Sequence, residues 1–154
     1  MTIFADKDVK EETAESLLEI LGDSDAVMFC MQLLYAYHFW DDIYDGEKRS
    51  KDDLYQAFSI TMIDIRRNPF YLRFQPQLDT LIASSFLQWM DANKLEESKE
   101  HLNKAYMLRA NIIQIWAYCA FLIGGMEHYK NVGVVIQKMY QEDFNEYCEE
   151  INNA

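Results

Sequence analysis

Apolar side chains recur at helical spacing along nearly the whole chain. Residues 8–21 carry Val9, Leu17, Leu18 and Leu21 beside a very acidic face, with Asp8 placed to cap the helix and Gly22 to stop it. Asp23 or Ser24 caps a longer helix through Asp45, closed by Gly46. Ser50 and Asp53 form a capping-box pair for a third helix to Arg66, whose core stripe reads Leu54, Phe58, Thr61, Met62 and Ile65. Asn68-Pro69 breaks the pattern and Pro76 marks a second boundary. A fourth helix is predicted over 77–92, a polar turn around 93–99, a fifth helix over 100–123 ending at Gly124-Gly125, and a last over 132–151. Gly133 leaves the start of that last helix open. The expected fold is an all-α single domain spanning 1–154, a bundle of about five to seven helices around a buried central helix at 26–45.

Composition narrows the function classes. The chain has 154 residues, half of them hydrophobic, with only five Gly and two Pro. That excludes wholesale disorder and leaves little material for the turns of a sandwich or barrel. Asp and Glu number 26 against 14 Lys and Arg, a net charge of −12. Such a balance argues against a nucleic-acid partner, because phosphate contacts need cations. No signal-peptide pattern and no long charge-free apolar run occurs, so neither export nor a membrane partner is expected. Cys30, Cys119 and Cys148 are too few and too scattered for a disulfide framework or a zinc site, which suits a reducing cytoplasm. No Gly-rich phosphate loop, G-x-S-x-G, H-E-x-x-H or C-x-x-C motif supports nucleotide-loop, serine, zinc or thiol chemistry.

The candidate chemistry lies at the end of the central helix. From Ala26 to Asp45 the only polar non-aromatic residues are Gln32, His38, Asp41, Asp42 and Asp45. A helix apolar all round is a buried one. At about 100° per residue, His38 and the three aspartates fall on the arc that also holds Val27, Met31 and Leu34. The carboxylates therefore continue a core stripe, at a helix end whose dipole disfavours them. Mutual repulsion and desolvation then call for a cation. One solution is Mg²⁺, held by Asp41, Asp42 and Asp45 together with substrate phosphate, His38 positioning a carboxylate or a water. The other is ordinary pairing with Lys48, Arg49 or Lys51.

Asp41-Asp42-Ile43-Tyr44-Asp45 resembles the D-D-x-x-D motif of isoprenoid and terpene synthases. In those enzymes the motif holds Mg²⁺ against a substrate diphosphate, but the chain is about half their usual length and has no second metal motif. Glu12-x-x-Glu15 followed by Asp42-x-x-Asp45 resembles the carboxylates of all-α nucleotide pyrophosphohydrolases of the MazG and dimeric dUTPase type, with Asp42 where Glu is usual. A third resemblance is carried by His38-Phe39-Trp40-Asp41-Asp42, Asn68-Pro69-Phe70-Tyr71 and Gly124-Gly125-Met126-Glu127. Together they look like small phage-encoded all-helical proteins, which implies a viral accessory protein in the bacterial cytoplasm and no particular reaction.

Further candidates lie outside the motif. Arg109 is the only charged residue from Met107 to Met126 and shares its face with Ile113, Trp116, Ala120 and Ile123. Either it meets the aspartates across the bundle, as a catalytic phosphate clamp beside His38, or it lays its stem on apolar surface near a helix start. Asn111, Gln114 and Tyr118 form a polar stripe that faces solvent or lines a cleft. Arg66, Arg67 and Arg73 form a basic cluster, fit either to grip phosphate or to close a helix end. Glu127 and His128 are candidate extra ligands; His101, Trp89, Trp116 and Phe121 read as core or boundary. Glu142, Asp143, Glu146, Glu149 and Glu150 read as a solvated face. Tyr71, Phe74, Tyr140 and Tyr147, read as exposed, point to a homo-oligomer. Two functions follow: an Mg²⁺-dependent enzyme acting on a di- or triphosphate small molecule, or a non-enzymatic acidic protein that binds a basic surface on a host protein.

Overall fold

The computed structural model describes residues 7–154, with side chains from Lys10 onward, so the expected cap Asp8 and the apolar Val9 have side chains outside the described residues. The described chain is all-α. Its elements are α1 (Lys7–Leu21), α2 (Ser24–Tyr44), α3 (Lys51–Ser59), a π-helical turn (Ile60–Asp64), α4 (Ile65–Arg67), α5 (Pro69–Arg73), α6 (Gln75–Ser98), α7 (Leu102–Arg109), α8 (Asn111–Gln137) and α9 (Phe144–Asn153). They fall into two compact units, one ending at Gln75 and one running from Pro76 to Ala154. Among the described residues no single helix is long and apolar enough to cross a membrane; α7 and α8 would suffice only as a pair, and they bend by 42° between them.

In the first unit α2 is the hub, packed by α1, α3, the π-turn, α4 and α5. Its start follows from Asp23, whose carboxylate accepts from Ala26 N–H at 2.9 Å. Gly22 and Gly46 take positive φ of 64° and 80°, the left-handed turn that ends α1 and α2. Ser50 and Asp53 close a full capping box. Asn68 caps α5, with Pro69 in the first turn, and its side-chain amide donates to Asp25 O at 2.8 Å. That bond ties the α4–α5 corner to the head of α2, where Phe29 packs against Phe70 and Tyr71 at 6.3 and 6.0 Å.

The expected stripe on the third helix is corrected. Leu54, Phe58 and Met62 are exposed, and the buried residues are Ala57, Ile60 and Ile65. The cause is the π-turn, in which Ile65 N–H donates to Ile60 O five residues back. The wider turn keeps Ile60 and Ile65 on one inner face. The more hydrophobic face is left outward.

The second unit departs further from the predicted boundaries. Helix α6 runs through the expected turn to Ser98, and Pro76 sits harmlessly in its first turn. The predicted fifth helix is two, α7 and α8, broken at Ala110. Gly125, at φ 67° and ψ −163°, interrupts α8. The amides of Gln114 and Gln137 pair across this break at 3.0 Å, although 23 residues of straight helix would hold them about 35 Å apart. The chain therefore doubles back at Gly125, and the predicted stop at Gly124-Gly125 holds. A Cβ on Gly124 would lie 2.4 Å from His128 Cβ, so the tight return fits glycine there. The predicted last helix is corrected too. The arm after Gly125 ends at Gln137, and α9 begins afresh behind Asp143, whose carboxylate accepts from Asn145 and Glu146 N–H.

Candidate functional site

Two polar clusters lie in the interior, one in each unit. In the first, α2 carries Asp41 and Asp42 into its last turn with only 7% and 4% of their surface exposed. Their burial follows from a helix whose residues Phe29, Cys30, Leu33, Leu34, Ala36 and Phe39 are also buried. The end of the helix opens, however, with Trp40, Ile43 and Tyr44 exposed. Asp45 is exposed as the C-cap, its N–H donating to Asp41 O and Ile43 O.

Asp42 is paired with Arg49 across the Gly46 turn. The chain folds back at that glycine so that its own guanidinium meets the carboxylate. One turn earlier, burial holds the His38 imidazole down at about 4; Asp41 pulls it upward, while Lys10 and Arg49 press it lower. His38 is thus a neutral imidazole at pH 7, acted on by the charges of Asp41, Lys10 and Arg49. Glu12 and Glu15 are exposed on α1. Among the described residues no three His, Cys, Asp or Glu side chains converge as a group able to hold a metal ion.

The second cluster is built on Arg109. Its Nε and Nη2 donate to the two oxygens of Glu96, and Nη2 also donates to Asn93 Oδ1 at 2.7 Å. The pair is nearly dry, with side chains 8% and 10% exposed. Tyr147 O–H donates to Glu96 Oε1 at 2.5 Å, and burial followed by that bond raises the phenol well above its ordinary value. Beside it, Tyr140 O–H donates to the Glu142 carboxylate and Tyr106 O–H to the Glu142 carbonyl. Burial raises the Glu142 carboxyl, against lowering by Tyr140 and Arg109. Ala92, Ala105 and Tyr147 pack around this network with Leu95, Leu102, Leu108 and Ile151. A planar fork facing a carboxylate, capped by an amide and a phenol, fixes α6, α7 and α9 against one another.

Arg109 is therefore not a solvated arginine lying on apolar surface. Its carboxylate is Glu96, which together with Asn93 and Tyr147 escaped the sequence reading. The signal was present: Asn93 and Glu96 are one turn apart, and both face inward once α6 is continued past Ala92. Tyr147 and Tyr71, expected outside, are 3% and 8% exposed, and Phe74 and Tyr140 are half-buried.

The remaining candidates are dispersed. Asn111 is buried and donates to Ser85 O at 3.0 Å, so the predicted polar stripe begins inside the fold. Arg66 and Arg67 are exposed in the last turn of α4, and Arg73 lies over the Phe74 ring at 5.0 Å. Glu127 is exposed and pairs with Lys130, one turn on, at 3.3 Å. His101 is exposed in a left-handed conformation just before α7. Trp116 is fully buried, Trp89 half-buried and Phe121 at the surface. No known protein family, curated protein or solved structure matches this chain, and the reading of its function rests on the two clusters and the surface around them.

Proposed function

We propose that the chain is a non-enzymatic acidic binding protein that occupies a basic surface on a host protein in a bacterial cytoplasm. One observation carries this reading: the carboxylates of Asp42 and Glu96, both nearly dry, each meet a guanidinium of their own chain, whereas the excess acid is exposed on α1 and α9. Glu11, Glu12, Glu15 and Glu19 are exposed on α1, and Glu146, Glu149 and Glu150 on α9. Charge so placed acts outward, steering a basic partner and setting its specificity. The three free cysteines agree with a reducing compartment. In a pull-down from bacterial lysate, one stoichiometric partner is expected, released at about 0.5 M salt. The triple variant Glu12→Gln/Glu15→Gln/Glu19→Gln should bind it at least tenfold more weakly. A partner indifferent both to salt and to these charges would defeat the reading.

A second reading keeps an Mg²⁺ site for a di- or triphosphate at Asp41, Asp42 and Asp45. It is favoured by the burial of adjacent carboxylates at the negative end of a helix dipole. Mg²⁺ needs only one or two carboxylates when water and phosphate complete its shell. Arg49 or Arg66 would then take phosphate charge. Calorimetry with Mg²⁺ and Mn²⁺ should give millimolar-range binding that Asp42→Ala removes. A titration of the wild-type chain that shows no heat of binding with either ion would end this reading.

A further inference from the structure

The outward face of 51–67 is unusual. In an ordinary amphipathic helix the richer apolar face turns inward. Here Leu54, Tyr55, Phe58 and Met62 are 48%, 71%, 62% and 53% exposed, while the inner face has Ala57, Ile60 and Ile65. The Thr61 and Ser59 hydroxyls do not compete for the outer face. Thr61 donates to its own helix at Ala57 O, 2.7 Å, and Ser59 to Asp64, 3.0 Å.

The charges at the two ends are opposite. The first turn carries Lys51, Asp52 and Asp53; the last carries Asp64, Arg66 and Arg67. Asp52, Arg66 and Arg67 are all exposed. At about 100° per residue, with the wider step of the π-turn between, Phe58, Met62 and Arg66 follow one line. Asp52, Tyr55, Ile63 and Arg67 follow the flank beside it.

We propose that this face binds the same face of a second copy of the chain, the two helices antiparallel about a two-fold axis near Phe58. A two-fold operation returns each flank to the same side with its direction reversed. Asp52 of each copy then lies beside Arg67 of the other, and Leu54 and Tyr55 meet Met62 and Ile63. The antiparallel arrangement also opposes the two helix dipoles favourably. The four exposed side chains offer on the order of 500 Å² per copy. Pairing covers on the order of 1,000 Å², at the low end of specific interfaces, which fits a reversible dimer.

Sedimentation velocity over about a hundredfold range of concentration tests this. The wild type should pass from monomer to dimer. Phe58→Asp, at an exposed position that leaves the fold and its far-ultraviolet circular dichroism unchanged, should remain monomeric. Asp52→Arg and Arg67→Asp should each weaken the dimer at least tenfold, and the double reversal should restore it. A wild type that stays monomeric, a Phe58→Asp dimer, or single reversals without effect would each overturn the proposal.

Discussion

Glu96→Ala is expected to destabilise the Pro76–Ala154 unit by about 3–5 kcal/mol, the cost of stranding one member of a buried ion pair. It removes the carboxylate that both nitrogens of the Arg109 guanidinium face, leaving the bond to Asn93 in place, and it removes the acceptor of Tyr147. A guanidinium has no neutral form to retreat to, whereas a carboxyl deprived of its cation can take up a proton. Arg109→Ala should therefore cost less than Glu96→Ala. Urea denaturation followed by circular dichroism measures both. In a unit of this size each kcal/mol lowers Tm by about 4–8 °C, so both shifts are easily read. Replacing the pair together, Glu96→Leu with Arg109→Met, should recover most of the loss, because a packed apolar pair suits the dry site. Losses below about 1 kcal/mol in both single variants would mean that the network is solvated and holds nothing in place.

Acid should weaken the first unit through His38. Its folded value of about 4 lies below the ordinary 6.5, so the unfolded chain binds the proton more readily. Stability is complete above pH 6.5 and falls as the pH drops from 6.5 towards 4, by about 3 kcal/mol at most. Between pH 7 and pH 5 the loss is about 2 kcal/mol. The groups acting on the ring are Asp41, which favours its charge, and Lys10 and Arg49, which oppose it. His38→Gln should flatten the stability profile over this range without lowering stability at pH 5. The imidazole proton resonances of the wild type should titrate near pH 4. A midpoint at 6 to 7 would place the ring in contact with bulk water instead.

Features set by short-range chemistry were legible in the sequence. The Asp23 cap, the Ser50–Asp53 box, the Gly22 and Gly46 stops and the Asn68-Pro69 corner each depend on residues within one turn. The burial of Asp41 and Asp42 was legible from the apolar circumference of α2. The outward face of 54–62 was not, because the helical period assumed for it is broken by a π-turn that no single residue announces. The extent of α6 was obscured in another way. Residues 93–99 are polar enough to read as a turn, yet Asn93 and Glu96 are polar because Arg109 needs them. The partner of Arg109 was missed through that one misplaced boundary. The pairing of Asp42 with Arg49 was among the expected alternatives, since a tight turn brings neighbours in sequence together.

The π-turn also governs which genetic changes this segment can absorb. Side-chain replacements on its outer face leave the Ile65-to-Ile60 bond intact. Deletion of one codon within 60–64 would turn this five-residue step into the four-residue step of a plain α-helix and keep the two isoleucines one turn apart, whereas insertion of one codon would swing everything beyond it by about 100°. After such an insertion Ile65 would leave the inner face, and Asn68 would lose its reach to Asp25. Added length, more than a changed residue identity, is what this stretch cannot absorb.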